Sequence, residues 1–298
     1  MNNLFKVGFF GDDIWAHNIL KLLMLDKTIK VSFVCGRLIT KDNILKKIAD
    51  KNKIHFLKLR DVNNKKFLEY VKKNKIDLLV SMSYDQIFKK EIIDLVKKKI
   101  INCHAGKLPF YRGRSILNWV LINGEKKFGI TTHFVNKEID KGNIINQKVY
   151  RINKNDDFKS LLDKSYLECP KLLYKSIKQI QTNKYKSIPQ SKLSKKFSYF
   201  TKRKNGDEII DLNLSAHAIQ NFVRGLVAPG PFARIKFKNN LIYVKRVSII
   251  NKKNYLAANT LFFENRKIYF LSGDKKIIRV NNWSSNKKIT NKKEIKLI

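Results

Sequence analysis

The first hundred residues alternate short runs rich in Val, Ile and Phe with stretches whose apolar residues recur at helical spacing. Runs of roughly four to eight residues suit strands and stretches of ten or more suit helices, and their alternation is the pattern of βαβ units. Strands are expected at 6–10, 31–35, 77–81 and 100–103, and helices at 14–25, 43–51, 65–74 and 89–97. The fold class is therefore α/β, a Rossmann-like, mostly parallel sheet with helices on both faces. A helix at 116–123, a strand pair at 129–134 and 144–150, and a long helical pattern over 158–181 follow.

Periodicity then stops. Residues 182–196 are mainly Lys, Ser and Asn around Pro189, a linker composition. Beyond them a helix is expected at 215–226 and several short strands over 232–280, broken at Asn239-Asn240 and Gly273-Asp274, as in a small β-rich, OB-like domain. The chain thus reads as a larger domain over 1–185, a linker over 186–200 and a β-rich domain over 201–298, and its length is enough for two cores.

Composition narrows the function classes. Apolar residues make up 43% of the chain, which excludes a disordered or fibrous protein. No apolar run approaches the roughly 20 residues of a membrane helix, and the apolar stretch at 1–11 is interrupted by Lys6 and Gly8 with no cleavage site after it. Cys35, Cys103 and Cys169 are too few and too far apart for a disulfide framework or a CxxC zinc site, so a cytoplasmic protein without a metal is expected. The net charge is +39, from 63 basic and 24 acidic residues, which by itself would suit a nucleic acid or an anionic membrane. Most of that excess is lysine scattered among Asn and Ile in every segment, and we read it as solvated helix faces. Gly11-Asp12-Asp13 after the first strand lacks the GxGxxG pattern, so a nicotinamide dinucleotide is not expected.

The chemistry concentrates at 101–114. On a strand Asn102 and His104 project to one face and Cys103 to the other, and Gly106 and Pro109 end the strand at the carboxyl edge of the sheet. Asp140 falls in a turn between two strands. An amide donor for a developing oxyanion, an imidazole that polarises it or moves a proton, and a carboxylate that holds the imidazole suit acyl transfer to an amine. Spacing alone fits better a histidine satisfied within a fold.

Asn102-x-His104, Gly106-x-Leu108-Pro109-x-Tyr111-Arg112-Gly113 and Ile139-Asp140-x-Gly142-x-Ile144-Ile145, in that order, resemble the signature of 10-formyltetrahydrofolate-dependent formyltransferases. Gly106-Lys107 departs from the Ser-Leu that many members carry before Leu-Pro. The resemblance implies that Asn102, His104 and Asp140 are catalytic and that 10-formyltetrahydrofolate is the cosubstrate. It places the pterin against Leu108 and the loop of Ser83, Tyr84, Asp85, Gln86 and Ile87, held largely by backbone groups; an ordinary turn capped by Ser83 or Asp85 fits that loop as well. Substrate contacts are implied for Tyr111, Arg112, Arg114, Asn118 and Arg224. The stretches at 207–213, 218–226 and 229–233 resemble the start of the carboxyl-terminal domain of the transfer-RNA and sugar branches, which the glycinamide ribonucleotide branch lacks. Formyltetrahydrofolate hydrolases carry an amino-terminal regulatory domain, which is not expected ahead of Phe5.

The transfer-RNA branch has a basic insertion after the second strand, whereas this chain has only Gly36-Arg37-Leu38-Ile39-Thr40-Lys41-Asp42 before a helix. Residues 110–119 also resemble the sugar enzymes. The expected acceptor is therefore a nucleotide-linked amino sugar, as in lipopolysaccharide O-antigen synthesis, and the sugar branch implies a homodimer. Methionyl-transfer RNA is the alternative, favoured by the charge. A non-catalytic nucleic-acid-binding protein on the same fold is a third, whose expected sign is loss of Asn102, His104 or Asp140.

Overall fold

Strand β1 (Phe5–Gly11) lies between β2 (Ile29–Gly36) and β4 (Leu78–Met82), parallel to both. All residues of β4 are buried, as expected of a parallel strand covered on both faces. A computed structural model describes residues 4–96, 99–237, 240–250, 256–286 and 294–297. The seven-stranded sheet has the order β3-β2-β1-β4-β5-β7-β8, with β3 at His55–Lys58, β5 at Ile100–His104, β7 at Lys127–Phe134 and β8 at Ile144–Arg151. Helices α1 (Asp13–Leu25), α2 (Ile44–Lys51), α3 (Lys65–Lys73) and α4 (Lys90–Leu95) connect the parallel strands. The α/β expectation holds.

Strand β3 was not expected. It is a short edge strand with no fully buried residue, so its two apolar residues, Phe56 and Leu57, make no recognisable pattern. The expected helix end at 97 and the turn position Asn239 lie outside the described residues. Among the described residues no helix is long and apolar enough to cross a membrane.

Residues 186–200 are built into the fold, which corrects their reading as a linker. Ile188 bridges Ile144 at the start of β8, and a short helix spans Gln190–Leu193. Tyr199–Phe200 (β9) pairs in parallel with Arg112–Gly113 (β6). The low periodicity reflects a segment made of single anchor points rather than a repeating face.

By contacts the chain forms two compact units, and the division is not a single cut. The first comprises residues 1–113, 128–150 and 163–200, the second 114–127, 151–162 and 201–298. Within the second, a six-stranded sheet runs β10-β11-β14-β13-β12-β15, where β10 is Ala233–Phe237, β11 Asn240–Ile250, β12 Thr260–Glu264, β13 Lys267–Leu271, β14 Ile277–Ser285 and β15 Glu294–Lys296. Its neighbouring strands pair antiparallel. Ile122, at the end of α5 (Ile116–Ile122), packs against this core together with α8 (Ala216–Arg224), whose Ile219 and Val223 are buried in it. The expected long helix is present as α6 (Phe158–Gln181), and α7 is the Gln190–Leu193 turn.

The first unit's core includes an aromatic cluster around Phe10, whose ring lies 5.5 Å from Phe33, 5.9 Å from Phe67, 5.2 Å from Tyr84 and 5.0 Å from Phe88. Phe10 is fully buried. Phe10→Ala is expected to lower the unfolding free energy by about 3–5 kcal/mol, read from urea denaturation. A loss below about 1 kcal/mol would show that the cluster does not carry this core.

Candidate active site

The antiparallel register of β7 on β5 sets Asn102 opposite His133 and His104 opposite Thr131. Cys103 projects the other way, its Sγ 3.6 Å from the Cys169 carbonyl on α6, so the alternation expected of the strand is observed. Asp140 sits on the loop between β7 and β8. Its carboxylate Oδ2 accepts the Gly113 N–H at 2.9 Å and lies 3.5 Å from His104 Nδ1, while Oδ1 lies 3.4 Å from His133 Nε2. The Asp140 side chain is 11% exposed. Burial alone would push its carboxyl up, but His104, His133 and the Gly113 N–H outweigh this and hold it well below the usual carboxylate range.

The backbone fixes the ring tautomers. His104 Nε2 is 2.6 Å from the Tyr111 carbonyl, which only accepts, so Nε2 carries a proton and Nδ1 faces Asp140. By the same argument His133 Nδ1 donates to the Phe134 carbonyl at 2.8 Å, and its Nε2 lies 3.3 Å from Asn102 Nδ2. Motif glycines make room for this packing. A Cβ on Gly106 would lie 2.4 Å from His104 Nε2, and one on Gly142 would lie 1.7 Å from the Phe134 carbonyl oxygen.

A cavity of about 510 Å³ lies along the same loop, lined in part by Ile93, Phe134, Val135, Asn136, Asn143 and Tyr185. Its size suits a small organic ligand. Phe134 follows His133 directly, so the cavity and the imidazole share one strand end.

Residues 33–177 match the family model described as formyl transferase. The chain is 31% identical over 234 residues to the methionyl-tRNA formyltransferase of Staphylococcus epidermidis, covering 76% of this chain and 74% of that one. The chain belongs to the formyl transferase family. It is also 37% identical over 211 residues, 70% of its length, to the bifunctional polymyxin resistance protein ArnA of Wigglesworthia glossinidia brevipalpis, of which it spans only 32%. The solved N-formyltransferase of Helicobacter canadensis, in complex with folinic acid and dTDP-3-aminofucose, shares the fold with a TM-score of 0.70 at 23% identity, over 93% of this chain and 99% of that one.

The remaining expected residues of this formyltransferase divide by what their polar atoms do. Arg112 is buried, and its Nε and Nη2 donate to Gln190 Oε1 at 3.1 and 2.6 Å while its guanidinium stacks on Phe197. Its fork is thus engaged inside the first unit. Tyr111 stacks on Phe200 and gives its N–H to Ser198 Oγ. Two further expected residues lie in the second unit. Asn118 Nδ2 donates to the Gly225 carbonyl at 2.8 Å, and Arg224 Nη1 donates to the carbonyls of Asn153 and Asp156 at 3.1 Å each, so both brace that unit's backbone. Arg114 belongs to the same unit and is exposed.

In the loop after β4, three side chains turn into the protein. Ser83 Oγ accepts from Arg37, Tyr84 packs between Phe10 and Phe88, and Gln86 ties the Leu59 carbonyl and the Val62 N–H. Burial pushes the Tyr84 hydroxyl well up. Ile87 and Asp85 are exposed, and Leu108 is buried with its carbonyl held by Gln147. Side-chain recognition by Tyr84 or Gln86 is therefore not what this geometry offers; backbone groups remain.

Sequence reasoning missed His133 and Gln190. His133 stands on an expected strand, but its approach to Asn102 depends on a register that no local pattern encodes.

Asp140 supplies a stability contribution that is present above its ordinary value of 3.8 and lost as pH falls toward its depressed folded value. Asp140→Asn is therefore expected to cost stability near pH 7 and progressively less below about pH 4, measured by urea unfolding. A cost independent of pH would contradict the assignment of this carboxylate.

Proposed function

We propose that this formyltransferase moves the formyl group of 10-formyltetrahydrofolate onto the amine of a nucleotide-linked amino sugar. The observation that carries the choice of acceptor is the connection between β2 and α2, which consists of residues 37–43 alone. Of its two basic residues, Arg37 turns inward to Asp12 at 3.4 Å and Ser83 at 3.0 Å, leaving Lys41. That loop offers no basic arm for a polyanion. The dTDP-3-aminofucose bound by the Helicobacter canadensis relative supports the same reading.

The amine loses a proton as it attacks the formyl carbon, and the folate nitrogen that leaves gains one, so the exchange balances. Asn102 Nδ2 has two N–H groups, of which one meets His133; the other donates to the formyl oxygen as charge develops there. Asp140 and the facing Nδ1 of His104 take the amine proton and return it to the leaving nitrogen. Tyr111 holds the ring in place through its carbonyl, and a protonated His104 beside Asp140 adds positive charge near the oxyanion.

The second reading, methionyl-transfer RNA as acceptor, is favoured by the 31% identity to the Staphylococcus epidermidis enzyme and by the charge of +39. The carbonyl-transfer chemistry is the same in both. Incubation with 10-formyltetrahydrofolate and either a panel of nucleotide-linked amino sugars or charged initiator transfer RNA decides between them. We expect formylation of a sugar, with an affinity that weakens only modestly between about 50 and 200 mM salt. Formylation of transfer RNA, with log affinity falling by about 0.7 to 0.9 per neutralised phosphate on a log salt scale, would establish the other acceptor. In either case Asn102→Ala is expected to lower kcat by about 10² to 10³, roughly 3 kcal/mol; an unchanged rate would remove Asn102 from the chemistry. The reading includes a homodimer, for which light scattering at micromolar concentration is the measurement, and a monomer mass would refute it.

A further inference from the structure

Gln190 is 4% exposed, and the segment that carries it has a composition that suggested no role at all. Its side chain joins three parts of the site. Nε2 donates to the carbonyls of Asp140 at 2.7 Å and Gly142 at 2.9 Å, and Oε1 accepts from Arg112 Nε and Nη2. Carbonyls only accept and a guanidinium only donates, so these partners fix which end of the amide is which. Both N–H groups and both lone pairs are used.

The held loop is one that needs holding. Asp140 has φ of 52°, a left-handed conformation that a residue with a side chain adopts only where its surroundings hold it. Strand β6 supplies both grips on it: Gly113 binds the Asp140 carboxylate directly, and the adjacent Arg112 binds Gln190, which binds the Asp140 backbone. Gly113 has φ of 99°, and a Cβ there would lie 2.1 Å from the Phe200 carbonyl oxygen, so β6 is itself locked against β9. We propose that Gln190 is a positioning residue for the transfer reaction: with Arg112 it clamps the Asp140 loop so that the carboxylate stays between His104 and His133. This rests on the formyltransferase reading above.

Glutamine is suited to the role for a reason that dictates the test. An ionised glutamate at this position keeps the acceptors for Arg112 and loses both donors, turning lone pairs toward the two carbonyls at nearly unchanged volume. Asparagine is one methylene too short to reach both sides. The titratable and charged groups facing Asp140 are His104 from β5, His133 from β7 and Arg112 from β6; on its own loop Lys141 is paired with Glu138.

In the full chain, Gln190→Glu and Gln190→Ala are measured for kcat and KM against pH and for urea unfolding against pH. We expect kcat to fall about ten- to hundredfold, as when a catalytic group is displaced by a fraction of an ångström to an ångström, with KM for the amine acceptor changed much less. The acid limb of kcat moves to higher pH, because a carboxylate that drifts from the two imidazoles is no longer held down. Independently of turnover, the acid-side stability difference between the parent and Asp140→Asn shrinks when both also carry Gln190→Glu. A lowered stability with kcat and its acid limb at parental values would overturn the proposal, leaving Gln190 a structural residue only. If the parent chain formylates no acceptor, the functional reading fails while the unfolding comparison still tests the clamp. An undiminished acid-side difference in that comparison would also overturn it.

Discussion

Asp140 is a carboxylate almost wholly removed from water, and a buried charge persists only where donors and opposite charges replace its hydration. Here the replacements come from three strands that are distant in sequence: His104 on β5, His133 on β7 and the Gly113 N–H on β6. Each strand must arrive in register for the charge to be tolerated. The same arrangement that makes the carboxylate affordable to the fold places a base beside an imidazole and an amide donor, so the site and the local stability depend on one set of contacts.

The conserved-looking letters of a motif are often read as chemistry, but here many of them are geometry. Gly106, Gly113 and Gly142 are places where a Cβ would collide with His104, the Phe200 carbonyl or the Phe134 carbonyl. Arg112, the cation of the central motif, is turned to Gln190 and Phe197. Of the residues between 102 and 142 that carry the family likeness, Asn102, His104 and Asp140 bring an amide, an imidazole and a carboxylate together, and those just named set the shape in which these three meet.

How much was legible follows from the range of the signals. The strands β1, β2, β4 and β5 are short apolar runs bounded by polar residues, and helices such as α1 and α6 repeat an apolar face over several turns; both patterns are local and survive in a single sequence. Period-two alternation correctly separated Cys103 from Asn102 and His104. What stayed hidden is non-local. His133 enters through the pairing of β7 with β5, and Gln190 through hydrogen bonds to residues 48 to 78 positions away. A glutamine in a Lys- and Ser-rich stretch carries no trace of that in its neighbours. Asn118 and Arg224 carry a role of the same non-local kind: each donates to backbone carbonyls distant in sequence, which the family motif does not reveal.

The way the two units share the chain has its own consequence. Residues 114–127 and 151–162 belong with the carboxyl-terminal unit although first-unit sequence lies between and after them, and Ile122 packs into the second core. A single crossover near residue 200 would therefore carry off the β-rich sheet but leave α5 behind with its apolar side chains unmatched. Recombination that traded this unit for another would have to preserve α5 or replace it in concert.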